Sequence, residues 1–259
     1  MLGRLFTFAS LMAIAAALPA AEKGTIASME PRDYGTPTEV SGTCYTPSGN
    51  GAGCPSSATQ SMGDTDDGKK TGITVYNKDS QTRSFFIYKN NCDCLPVKYI
   101  SVPANGKTFI AMAAGFQGRI MRGTEAANLD GKSHALGTWM EFSWDADGKG
   151  WADVSLIKGC DGAVDVTADD GVGAQTGFND DVLDSAPEGA YKLKAVTGSK
   201  VIMETESLTD ASVINTTPRD WLYKEIGAWT KAYVDDHHGN PDICSENGRF
   251  DINFYPGRP

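Results

Sequence analysis

Beyond its first 20 positions the 259-residue chain has no stretch approaching the roughly 20 uncharged apolar residues that cross a bilayer, which excludes a membrane-spanning helix there. Basic runs are missing too. Thirty-three Asp and Glu outnumber 23 Lys and Arg, for a formal charge of -10. Nucleic acid is disfavoured as a partner, because a phosphate backbone is held mainly by clustered Lys and Arg. Anionic membrane surfaces are disfavoured for the same reason. No phosphate-cradling glycine loop leads into a helix, and His134 has no neighbouring Cys, Ser or Asp motif to build a triad. Cysteine is sparse but even in number: Cys44, Cys54, Cys92, Cys94, Cys160 and Cys244. In an oxidising compartment such a set reads as disulfides. Cys92 and Cys94 are too close in sequence to bridge each other comfortably. One intervening residue is also short of the spacing of about two to four usual for zinc ligands, so neither a metal nor a cofactor is expected.

The N-terminus has Arg4, an uncharged run from Leu5 to Leu18, and then Pro19, Ala20 and Ala21. That is the layout of a secretory signal peptide over residues 1–20, and it predicts a secreted protein. The closing INFYPGRP lacks the hydrophobic tail of a lipid-anchor signal. Residues 21–70 are dominated by Gly, Ser, Thr, Pro and Asp and predict a flexible arm. The remaining segment, 71–259, is long enough for one large all-β domain with a buried core.

The most informative segment is WMEFSWDADGKGWADVSLIKG, Trp139 to Gly159. Met140, Phe142 and Trp144 alternate onto one face, and Ala152, Val154 and Leu156 do the same across an Asp- and Gly-rich turn. These faces predict a core. The opposite face carries Trp139, Glu141 and Ser143 from one strand and Trp151, Asp153 and Ser155 from the other. Residues paired across an antiparallel ladder share a face, so Trp144 pairs with Gly150 or with Ala152. The first register sets Glu141 and Asp153 directly opposite, with Cβ atoms about 5 Å apart; the second sets them diagonally, at about 7 to 8 Å. Like charges that near raise one pKa and keep a carboxyl group protonated as a general acid. The plainer reading is a solvated hairpin face.

Elsewhere ITVYN, RSFFIYKN, KYISVPA and KTFIAMAA are short β-rich runs between Asn, Pro and Gly signals, as in an antiparallel sandwich. GFQGRIMRGTE follows as a strand holding Arg119 and Arg122. No Lys or Arg occurs between Lys158 and Lys192, where acids accumulate, so 161–216 reads largely as an acidic loop region. YKLKAV and KVIMETE suggest a hairpin about Thr197, Gly198 and Ser199. Thr217 as N-cap, Pro218 in the first turn and Asp220 open the one convincing helix, along which Leu222, Ile226, Trp229 and Tyr233 recur at helical spacing. Asn215-Thr216-Thr217 is a glycosylation acceptor. RFDINFYP reads as a terminal strand with Phe250, Ile252 and Phe254 on one side. Asp235-Asp236-His237-His238 and the Asp145-Asp147-Gly148 turn both read as solvated loops rather than metal sites.

Five of these strings, in order, resemble the thaumatin-like, osmotin-type family of secreted β-sandwich proteins: ITVYN, GFQGRIMR, MEFSW with WADVSLIKG, DWLYKEIGAWTKAYVDD and RFDINFYP. The resemblance spans roughly residues 72–256 and implies an all-β thaumatin-like sandwich with one short helix. It further implies an acidic cleft that binds, and in some members slowly cleaves, β-1,3-glucan. Carried over by motif, the cleft Arg is Arg122 with Arg119 as fallback, the Glu is Glu141, the first Asp is Asp153, and the last acid is Asp235 or Asp236. Two features depart from the family. Lys158 stands before Gly159 where the family often has Asp, and the disulfide joining first and last strands would fall at Asp79 and Tyr255. The sparse cysteine framework is closer in style to fungal members.

Two functions follow as expectations. One is a monomeric protein that binds β-1,3-glucan or another cell-wall polysaccharide, with Glu141 as proton donor, Asp153 as its partner carboxylate, and Arg122, Asp235, Asp236, Trp139 and Trp151 around the ligand. The other is a non-catalytic effector that engages a host or other extracellular protein from the same scaffold.

Overall fold

The computed structural model describes residues 53–207, 210, 212–227 and 230–259. The expected signal peptide, most of the 21–70 arm, Cys44 and Trp229 lie outside the described residues. Strands come first: β1 (Thr59–Ser61), β2 (Gly72–Asn77), β3 (Arg83–Lys89), β4 (Lys98–Val102), β5 (Lys107–Ala111) and β6 (Gln117–Gly123). A one-turn helix α1 (Glu125–Asn128), capped by the Thr124 side chain, precedes the hairpin β7 (Trp139–Trp144) and β8 (Gly150–Ser155). Then follow β9 (Gly162–Ala168), β10 (Gln175–Gly177), β11 (Tyr191–Leu193), β12 (Lys200–Ile202), the helix α2 (Thr216–Ile226), β13 (Ile243–Ser245) and β14 (Arg249–Gly257).

A seven-stranded sheet runs β1-β4-β3-β6-β7-β8-β13, and a five-stranded sheet runs β10-β9-β14-β2-β5. The small β11–β12 hairpin stands apart. Pairing is mixed rather than purely antiparallel, because β1 joins β4 and β14 joins β2 in parallel. One core fills the space between the large sheets. Phe85, Ile120, Met140, Phe142, Trp144 and Val154 from the first meet Ile73, Val164, Val166, Phe250, Ile252 and Phe254 from the second. Ring contacts cross the gap, Phe85 to Phe254 at 4.5 Å and Trp144 to Phe250 at 6.2 Å. The fold is therefore mostly β, as the alternation predicts, and all six hairpin residues assigned to the core are buried.

Several expectations change. The polar segment ahead of residue 71 is not an arm throughout, since β1 forms an edge strand and Asp66 pairs with Arg249 at 2.9 Å. Within the acidic region, β9 is a buried strand between β14 and β10. Its Asp165 is tolerated because Asn253 and Tyr255 each donate to the carboxylate at 2.7 Å. The helix begins before Thr217, with Asn215 in the cap position and Pro218 in the first turn, where a missing N–H needs no partner. It ends at Ile226, because Gly227 takes a left-handed conformation (φ 78°) and its N–H bonds the Tyr223 carbonyl. Tyr233, expected on the helix, instead bridges Ser155 in parallel.

The disulfide expectation divides. Cys54 bonds Cys92, and Cys94 is disulfide-bonded as well. Cys160 and Cys244 are free thiols, Cys160 being fully buried beside the Thr138 hydroxyl, where burial pushes the thiol pKa up to about 11. Asp79, in the loop after β2, pairs with Arg83 at the start of β3, and Tyr255 on β14 donates to Asp165 on β9. No helix among the described residues is long and apolar enough to cross a membrane.

Candidate active site

The hairpin register pairs Trp144 with Gly150, so Glu141 lies directly opposite Asp153. The row extends further. Arg119 on β6 pairs with Glu141, and Tyr88 on β3 pairs with Arg119, so Tyr88, Arg119, Glu141 and Asp153 cross four strands on the outer face of the large sheet. β13 continues that ladder from Ile243 opposite Ala152, which brings Asp242 up to Asp153. Beside this row runs a second one, Gln117, Ser143 and Trp151.

The Arg119 guanidinium is held tightly. It ion-pairs with Asp93 at 2.8 Å and lies between the Tyr88 and Trp139 rings, with centroids 4.7 and 3.8 Å away. Its Nε has no hydrogen-bond partner among the described residues. Across the row Asp153 Oδ1 is buried and equally unpartnered. Such orphaned atoms are rare in native interiors and mark positions where a further group can bond.

Burial raises the Glu141 pKa above its ordinary value, against the pull of the Arg119 charge and a hydrogen bond from Ser155. Asp153 has no cation among the causes of its shift. Burial, then the Glu141 and Asp242 charges, push it up to about 8. Both carboxyl groups are thus raised by burial, with Arg119 and Ser155 opposing the shift on Glu141 and no cation opposing it on Asp153.

A groove of about 470 Å³ opens over the pair, with Trp151 and Ser143 on one side and Tyr233, Asp236 and Asp242 on the other. The far wall is fixed by backbone bonds, Tyr233 N–H to the Val154 carbonyl at 2.8 Å and Leu156 N–H to the Tyr233 carbonyl at 2.7 Å. Burial and the Asp242 charge lift the Tyr233 hydroxyl to about 12, so it remains a neutral donor and acceptor.

Not every expected residue reaches this groove. Arg122 lies one side-chain step out of phase with Arg119 and points into the core, where it donates to the Asp161 and Ala163 carbonyls at 3.0 Å each. The fallback Arg119 lies on the outer face opposite Glu141, buried between the Tyr88 and Trp139 rings and not among the residues that line the groove. Asp236 lines the groove, whereas Asp235 is buried and accepts from the His237 N–H and from His238 at 2.9 Å. Burial would raise the Asp235 pKa, but the His238 and His237 bonds outweigh it and hold the carboxyl below its ordinary range. Trp139 is occupied by Arg119 and by donation to the Ala135 carbonyl at 2.8 Å, leaving Trp151, 37% exposed, as the aromatic on the rim. Asn215 donates its side-chain amide to the Glu204 carbonyl at 2.8 Å, so a glycan there would replace that bond. Asp242, Tyr233 and Asn90 line the groove without having been expected from the sequence. Asp242 follows Asn240-Pro241, a turn signal, but the three-residue strand after it is too short for alternation to reveal. No three His, Cys, Asp or Glu among the described residues come together as a metal site.

The chain matches no protein-family model and no curated protein. Among solved structures it is similar to the protein elicitor MoHrip2 from Magnaporthe oryzae, at 12% identity and a TM-score of 0.29, over 43% of this chain and 81% of that one.

Proposed function

We propose that the protein is a secreted polysaccharide-binding protein on a thaumatin-like scaffold, taking β-1,3-glucan into the acidic groove and cleaving it slowly. The observation that carries this reading is the Arg119–Glu141–Asp153 row, with an unpartnered polar atom at each end and an exposed Trp151 on the rim. A pyranose ring stacks on the indole, and its hydroxyls bond the surrounding acids and Tyr233. Asp153 protonates the glycosidic oxygen and Glu141, the member of the pair next to Arg119, attacks the anomeric carbon as the carboxylate. Directly opposed residues have Cβ atoms about 5 Å apart, and a carboxyl separation as short as that is the one that favours retention of configuration. Water then resolves the glycosyl–Glu141 intermediate with Asp153 acting as base.

The test is a pull-down on insoluble β-1,3-glucan combined with an assay for reducing ends. Binding with products supports the full reading, and Glu141→Gln and Asp153→Asn should each abolish release. Full activity in Glu141→Gln would discard the mechanism. Binding without products leaves a lectin, whereas neither binding nor products points to a protein partner.

A further inference from the structure

The groove does not stop at the acids. At Asn90 it meets a second hollow of about 370 Å³ lined by Asn90, Asn91, Gln117, Phe116 and the small residues Ala113 to Gly115. The junction follows from register: Gln117 pairs with Ser143 on the same outer face, and the Asn90 N–H bonds the Gln117 carbonyl at 3.0 Å. No Asp or Glu lines this hollow, and its one cation, Lys89, turns its ammonium to the Gly53 carbonyl at 3.3 Å. The Cys54–Cys92 disulfide fastens the loop next to Asn91, whose left-handed backbone (φ 64°) aims the turn.

Primary amides both donate and accept, as hydroxyl groups do, and Phe116 adds an apolar patch for the C–H side of a ring. An anionic chain would be repelled by the four acids next door, and a cationic one would gain nothing from neutral amides. The occupant that suits both compartments is a neutral polyhydroxyl chain. Resting on the proposed function, we infer that the amide compartment is a second subsite for the same chain, so that the ligand is a saccharide of several rings running from the acid pair across Ser143 to Asn91 and Gln117.

Calorimetric titration with β-1,3-linked glucose oligomers, from dimer to hexamer, tests this. The hexamer should bind about tenfold more tightly than the dimer. Gln117→Ala, at an exposed position, and Asn91→Gly, which keeps the left-handed backbone, should each remove most of that gain while leaving dimer affinity unchanged. Equal affinity for dimer and hexamer, or a gain that survives both substitutions, overturns the second subsite and leaves glucan binding intact. Absence of binding by every oligomer overturns both together.

Discussion

Arg119 and Arg122 stand on one strand and face opposite sides of one sheet. The inward Arg122 is saturated: two carbonyls accept from it, Asp161 lies 3.5 Å away, and the Phe254 ring packs beneath it. Lys194 completes the arrangement by bonding Asp161 at 2.7 Å. The outward Arg119 is just as buried but keeps an unpartnered Nε beside Glu141. Identical side chains at equal burial thus differ in residual bonding capacity. Where that capacity is used up the residue holds the fold, and where some is left it stands next to the acid pair.

The contrast can be broken at its inner end first. Arg122→Met leaves the fully buried Asp161 carboxylate with Lys194 and the Thr138 N–H and should lower unfolding stability by about 3 to 5 kcal/mol in a urea titration. Arg119→Met should cost less, about 1 to 3 kcal/mol, since Asp93 is partly exposed and can turn to water. On the proposed function it should nevertheless abolish glucan cleavage, whereas any residual Arg122→Met protein that folds should retain it. Equal stability losses with activity lost in both would erase the distinction.

Asp153→Asn sharpens it with the opposite sign. The folded-state pKa is raised to about 8 from an ordinary value of 3.8, so the folded form holds the proton over a window where the unfolded chain has released it. Wild-type stability should fall as pH rises from about 4 to about 8, and the amide should remove that slope, its advantage growing by up to about 1.4 kcal/mol per pH unit across that window and vanishing at pH 3. Trp151→Ala is the mildest case. Stability should change by no more than about 0.5 kcal/mol, while retention on glucan is lost.

Much of this architecture is legible in the sequence wherever one strand face is apolar and the other polar, as in β7 and β8. The signal fails on β6. Ile120 and Arg122 are buried on one side and Arg119 and Met121 on the other, because Phe86, Tyr88 and Tyr99 cover the outer face. A strand buried on both sides has no alternation from which to choose between two arginines. β9 is hidden for a different reason, since Asp165 interrupts its apolar run and its partners Asn253 and Tyr255 come from 88 and 90 residues away. The Glu141–Asp153 opposition lay within reach, but selecting it over the diagonal register needed the Trp144–Gly150 pair.

The parallel ladder between β2 and β14 also governs the order of assembly. β14 sits between β9 and β2, so until residues 249–257 leave the ribosome these two earlier strands have no common neighbour and expose open edges. Closure of the five-stranded sheet must wait for residues 249–257, and the two open edges need shielding until then.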